Sequence, residues 1–153
     1  MDPASAAVAF IGVAASLTTL AALVIDASKT LSNVHRRVKN APKDIERLCW
    51  QLNTFQCLLD EAQNLVKDHG PDYAASDVGS VFATAIKHML DDLCDFEDTM
   101  QKLKDLMSHS ASFKGRFALR VRQIMNEDGV RRYQRLICSH VATLTLLLEV
   151  LTR

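Results

Sequence analysis

Between Ala4 and Ile25 the chain runs ASAAVAFIGVAASLTTLAALVI, 22 residues without a charge. Placed at 100° per residue, Phe10, Val13, Leu17, Leu20 and Val24 fall on one side of a helix, whereas Ser5, Gly12, Ser16, Thr19 and Asp26 lie opposite. The pattern predicts an amphipathic helix over about residues 4–33, with one apolar face and one small-residue face made by Gly12, Ala15, Ser16 and Thr19. Gly12xxxSer16 and Ala15xxxThr19 have the small-xxx-small spacing that permits close helix contact in lipid.

The same periodicity continues. In NAPKDIERL, Pro42 suits a first helical turn, and Asp44 and Glu46 complement the helix dipole. The stripe Ile45, Leu48, Cys49, Leu52, Phe55, Leu59, Ala62 and Val66 then predicts a second helix that ends at HGP, residues 69–71. Ser76 or Asp77 can cap a third, with Val78, Val81, Phe82, Ala85, Met89, Leu93, Phe96, Met100, Leu103 and Met107 inward and SHSAS closing it. A last segment spans about Lys114 to Leu151, with a break expected at NEDG, where Gly129 weakens the helix. Its end, VATLTLLLEVL, is apolar nearly all round and asks for burial in a bundle or an oligomer interface. Few breakers and no sustained period-2 alternation predict an all-α fold: an up-and-down helical bundle of four to five helices, one domain over residues 1–153.

Composition sharpens this. At 48% hydrophobic and 24% charged, the chain can bury a sizeable core. The N-terminal run lacks the basic region of a secretory signal and is too long for one. It has the length of a membrane span, but nine of its 22 residues are Val, Ile, Leu or Phe. Each of these contributes about 0.3–0.6 kcal/mol at a bilayer centre, so insertion is marginal. Cys49, Cys57, Cys94 and Cys138 lie in helical segments without a CxxC pair, which reads as buried thiols in a reducing compartment.

Eighteen basic and eighteen acidic residues cancel, which leaves no whole-molecule attraction to nucleic acid. The charge is nevertheless zoned, with acids crowding Asp77 to Asp98 and bases crowding Lys114 to Arg135. The two zones fit neighbouring helices whose solvated faces attract. Alternatively Lys114, Arg116, Arg120 and Arg122, joined by Arg36, Arg37 and Lys39, form a patch for anionic lipid. The sequence holds no phosphate-cradling glycine loop, GxSxG or HExxH, and its five histidines read as isolated surface or cap positions. A non-enzyme without metal or cofactor is expected.

Together, MDPASAAVAFIGVAASL, NAPKDIERLCWQL, the acidic third helix and RLICSHVATLTLLLEVL resemble the HeLo-like N-terminal domains of fungal STAND proteins, the NOD-like receptors of fungi. The resemblance covers essentially the whole chain. It implies a bundle similar to HeLo and MLKL cell-death domains, acting in innate immunity or heterokaryon incompatibility. Such a domain is cytoplasmic at rest, forms a homo-oligomer on activation and inserts its N-terminal helix into the plasma membrane. Carried over by position, that helix is Ala4 to Ile25, with Phe10, Val13, Leu17, Leu20 and Val24 as its membrane face. An upstream NOD-like receptor or amyloid-type signalling partner is implied as the trigger. The alternative expectation is a non-lytic adaptor that assembles with proteins and leaves membranes intact.

Overall fold

The computed structural model describes residues 3–38, 43–70, 77–109 and 114–152, without the side chains of residues 3, 6, 114 and 115. Six helices account for nearly all of them: α1 Pro3–Arg37, α2 Lys43–His69, α3 Asp77–Asp92, α4 Cys94–His109, α5 Lys114–Ile124 and α6 Glu127–Leu151. The described chain is all-α and folds as a helical bundle. The expected four to five helices become six because two long segments are interrupted.

The first interruption is a bend. Leu93 N–H donates to the Met89 carbonyl at 3.1 Å and Glu97 N–H to the Leu93 carbonyl at 2.9 Å, so the hydrogen-bond ladder crosses the junction of α3 and α4. The second is a true start. Asn126, at φ −71° and ψ 163°, accepts the Gly129 N–H on its side chain at 2.7 Å, and Glu127 and Asp128 occupy the first turn. Gly129 therefore sits inside the cap as the donor of its closing bond, and the asparagine sets the break. At the end of α2, Gly70 takes φ +69° and donates to the Val66 carbonyl at 3.1 Å, a left-handed stop before Pro71.

Cross-helix contacts fix the directions. Ser28 on α1 donates to Asn53 on α2 at 3.0 Å, and Phe10 and Leu17 share a groove with Val66, so these helices run antiparallel. Gln134 on α6 donates to the Asp44 carbonyl at 2.9 Å, while Leu148 lies near Leu58 and Leu65, so α6 runs parallel to α2. Lys104 on α4 pairs with Asp26, and Arg37 donates to the Met107 carbonyl at 3.3 Å, which sets α4 parallel to α1. Phe96 meets the edge of Tyr133 at 5.0 Å and closes the bundle between α4 and α6. Four arms thus alternate in direction, and α5 packs across the end beside α4.

The core follows the expected stripes with one shift. On α1 the buried line is Val13, Leu17, Leu20, Ala21, Val24, Ala27, Leu31, Val34 and Val38, and on α2 every expected apolar position is buried except half-buried Cys49. On α3, Val78 and Val81 face solvent, while Gly79, Phe82, Ile86 and Met89 turn inward. Both sets have helical spacing, and packing against α1 selects the second. Three cysteines expected inside, Cys57, Cys94 and Cys138, are exposed because each lies off its helix's buried line. The expected caps at Pro42 and Ser76 and much of the SHSAS segment lie outside the described residues.

Replacing the α6 cap by alanine, Asn126→Ala, should lower the unfolding free energy by about 1 kcal/mol, whereas Asn126→Asp should lose little. Urea denaturation of the two variants at constant m-value checks this.

Candidate functional site

Directionality gives the bundle two unlike ends. One end gathers the start of α1, the end of α2, the start of α3 and the end of α6. Exposed there are Val8 at 71% and Ile11 at 65% on α1, Val78 and Val81 on α3, and Leu146 and Val150 on α6. Two partly apolar grooves flank α2 near this end. One, of about 240 Å³, lies between α1 and α2 along Phe10, Ala14, Leu17 and Val66; the other, of about 210 Å³, lies between α2 and α6 along Leu58, Leu65 and Leu148.

The expected membrane face of α1 is the core face. Val13, Leu17, Leu20 and Val24 are buried, with Leu17 at 0% exposure, and Phe10 packs partly against the core. The small-residue face points outward: Gly12, Ala15 and Thr19 are exposed and Ser16 is half-buried. Thr18 and Thr19 donate to the carbonyls of Ala14 and Ala15, both at 2.9 Å, which satisfies their hydroxyls within the helix. A β-carbon added at Gly12 would meet nothing within 4 Å.

The opposite end is basic. Arg36 and Arg37 end α1, and Arg116, Arg120 and Arg122 are exposed on α5. Arg37 lies over the Phe117 ring at 5.9 Å, which ties the α1 terminus to α5. Arg116 and Arg120 lie one turn apart on one flank of the buried Phe117 and Val121, and Arg122 falls on the other flank. Lys39 lies outside the described residues and the side chain of Lys114 is not described, so the structure brings together only part of the expected patch. Of the basic zone, Arg131 pairs with Glu127 of its own helix at 2.6 Å, and outside both zones Lys104 reaches back to Asp26 on α1.

Sequence patterning missed three features. Trp50 is 70% exposed on α2, on the face opposite Leu48 and Leu52. Val8 and Ile11 likewise lie across α1 from the line of Val13, Leu17 and Leu20, so a wheel read for exceptions finds these three residues. His140, expected at the surface, is buried on α6, stacked against Phe55 at 6.3 Å, with Nε2 3.4 Å from Asp92 at the bend. Neither that nitrogen nor Oε1 of neighbouring Gln51 has a hydrogen-bond partner among the described residues. Gln51 instead donates through Nε2 to Cys138 Sγ at 2.9 Å. Burial pushes the His140 pKa down, and the Asp92 carboxylate opposes this only in part. Burial likewise raises the Cys49 thiol, with a Ser32 hydrogen bond working against it. Among the described residues, no three His, Cys, Asp or Glu side chains converge as a metal cluster.

Comparison of the chain with protein-family models, with curated proteins and with solved structures finds no match.

Because His140 has a lower pKa folded than unfolded, the unfolded chain takes up its proton first as pH falls. Stability should decline once pH drops through the unfolded value, about 6.5, and this loss should level off below the folded value. Thermal melts between pH 7.5 and 5.5 should show that decline in the wild type and a flatter profile in His140→Gln.

Proposed function

We propose that this bundle is a cell-death-inducing effector domain of a fungal NOD-like receptor or a related signalling protein. It acts without catalysis, cofactor or nucleic acid. At rest it is a cytoplasmic bundle with α1 in its core. On activation, by an upstream receptor or an amyloid-type partner, copies assemble and α1 moves from the core into the plasma membrane.

The observation that carries this reading is the double character of α1. Ala7–Arg37 is long and apolar enough to cross a membrane, with a stretch of mean hydropathy 2.3, yet its apolar line is folded inward while Val8 and Ile11 stand exposed near its N-terminal end. The likeness of MDPASAAVAFIGVAASL and NAPKDIERLCWQL to HeLo-like domains points the same way. Each copy's insertion energy is small, so assembly supplies the strength by bringing several α1 helices to one membrane. The basic end supports attraction to anionic lipid, at about 1 kcal/mol for each base near the surface.

A second reading, the non-lytic adaptor, is favoured by the exposed Leu146 and Val150 on α6 and by Trp50, a residue type enriched at protein interfaces. It predicts assembly without leakage.

Leu17→Lys cannot separate the readings, because a charge at this buried position disrupts the bundle itself. Ile11→Lys and Gly12→Lys can, since both positions are open to solvent. A lysine at mid-bilayer costs about 2.5–3.5 kcal/mol, enough to reduce insertion by roughly two orders of magnitude per copy. Assembled wild type should release dye from anionic liposomes, and both variants should melt normally and release little. A folded Ile11→Lys protein that leaks like wild type would remove α1 insertion from the mechanism.

A further inference from the structure

At the basic end a cleft of about 650 Å³ opens between the last turns of α1 and α4, lined by Asn33, Arg36, Arg37, Lys104, Met107 and Ser108. Three cations border it, and none of the described lining residues is acidic. The carboxylate nearest in the ion-pair network is Asp26, two turns back on α1, which engages Lys104. The carbonyl ends of α1 and α4 would ordinarily repel an anion, and at α1 the Arg36 and Arg37 side chains of the last turn offset this. At α4 the Met107 carbonyl is covered by the Arg37 guanidinium, which the Phe117 ring supports from the other side. Asn33 accepts from the Arg36 guanidinium, the Ser108 hydroxyl donates to the Lys104 carbonyl, and the volume suits a headgroup-sized molecule.

We infer that this cleft binds a phosphate monoester or diphosphate group, held by Arg36 and Arg37 and competing with Asp26 for Lys104. Two guanidinium forks and an ammonium call for dense charge in a small volume. A phosphate monoester carries nearly two charges on three adjacent oxygens, whereas a single carboxylate would leave cations unmatched. Occupancy has a consequence for α1. The Asp26 to Lys104 pair is a polar tie between α1 and α4, and drawing Lys104 toward the ligand loosens it. That consequence rests on α1 release as proposed above, while the binding itself does not.

Isothermal titration of the full chain with inorganic pyrophosphate tests the cleft directly. Saturable binding at one site per chain is expected. Arg36→Gln with Arg37→Gln should weaken it by about tenfold or more. Asp26→Asn, which removes the competitor, should tighten it by about three- to fivefold, the worth of an exposed ion pair. Opposite shifts in the two variants cannot come from general misfolding. A control of equal charge, Arg132→Gln with Arg135→Gln, should bind as wild type. Vesicles containing phosphatidic acid, set against phosphatidylserine vesicles of matched surface charge, identify the source of the phosphate. Preference for phosphatidic acid that pyrophosphate competes away assigns the cleft to a lipid headgroup, and pyrophosphate binding without that preference assigns it to a soluble phosphate compound. Absence of saturable pyrophosphate binding, or equal weakening in the cleft pair and the control pair, would overturn the inference. Dye release is read separately: a protein that binds pyrophosphate but never leaks keeps the cleft and loses the membrane reading.

Discussion

Val13, Leu17, Leu20, Val24, Ala27, Leu31, Val34 and Val38 form one line along α1, and that line can have only one apolar environment at a time. In the bundle it lies against α2, α3 and α4. Fully burying a leucine or valine side chain is worth about 1.5–3 kcal/mol, so the line contributes heavily to the core. Lipid would shelter the same residues equally well. The difference lies on the other side of the helix, where Thr18, Thr19, Asp26 and Lys29 stay in water in the bundle and would have to enter or skirt hydrocarbon in a membrane. Moving α1 also exposes the apolar faces it leaves behind on α2, α3 and α4. Both terms favour the bundle over departure of α1 for an isolated copy.

The alternation of arm directions gives the molecule its long-range asymmetry. Val8 and Arg36 lie 28 residues apart on a single helix, about 42 Å at 1.5 Å per residue. A bundle resting its basic end on an anionic surface therefore holds the N-terminal end of α1 on the far side. Membrane attraction through the arginines and membrane entry through α1 cannot occur in one rigid orientation. The proposed function thus requires either reorientation of the whole bundle or departure of α1 from it, and the tie between Asp26 and Lys104 bears on the second.

Between the ends, the seam of α2, α4 and α6 carries polar groups in a mostly apolar setting. Tyr133 resolves its hydroxyl against Thr99 at 2.7 Å. His140 and Gln51 are less well matched, and His140 sits beside Asp92, where the third arm bends at Leu93. A buried polar group without a full partner costs free energy, so this is the weakest part of an otherwise apolar seam.

Much of the architecture was already legible as periodicity. The α1 line from Val13 to Val24, the α2 line from Ile45 to Val66, and the absence of strands among the described residues all follow from where apolar residues recur, because a helix's spacing is a local property of the backbone. The stop at Gly70 and the break near Asn126 follow equally from local chemistry, although the cap, rather than the glycine, sets the break. Local spacing could not tell which of two overlapping stripes on α3 turns inward, that His140 would be covered by Phe55, or that Lys104 would meet a carboxylate 78 residues away. Nor could it show that Val8, Ile11, Val78, Val81, Leu146 and Val150 share one end while the arginines of α1 and α5 gather at the other, beside an exposed Leu119. Those depend on which helices become neighbours and in which direction they run, and that is decided by the collective fit of faces across the bundle, a property no single segment carries.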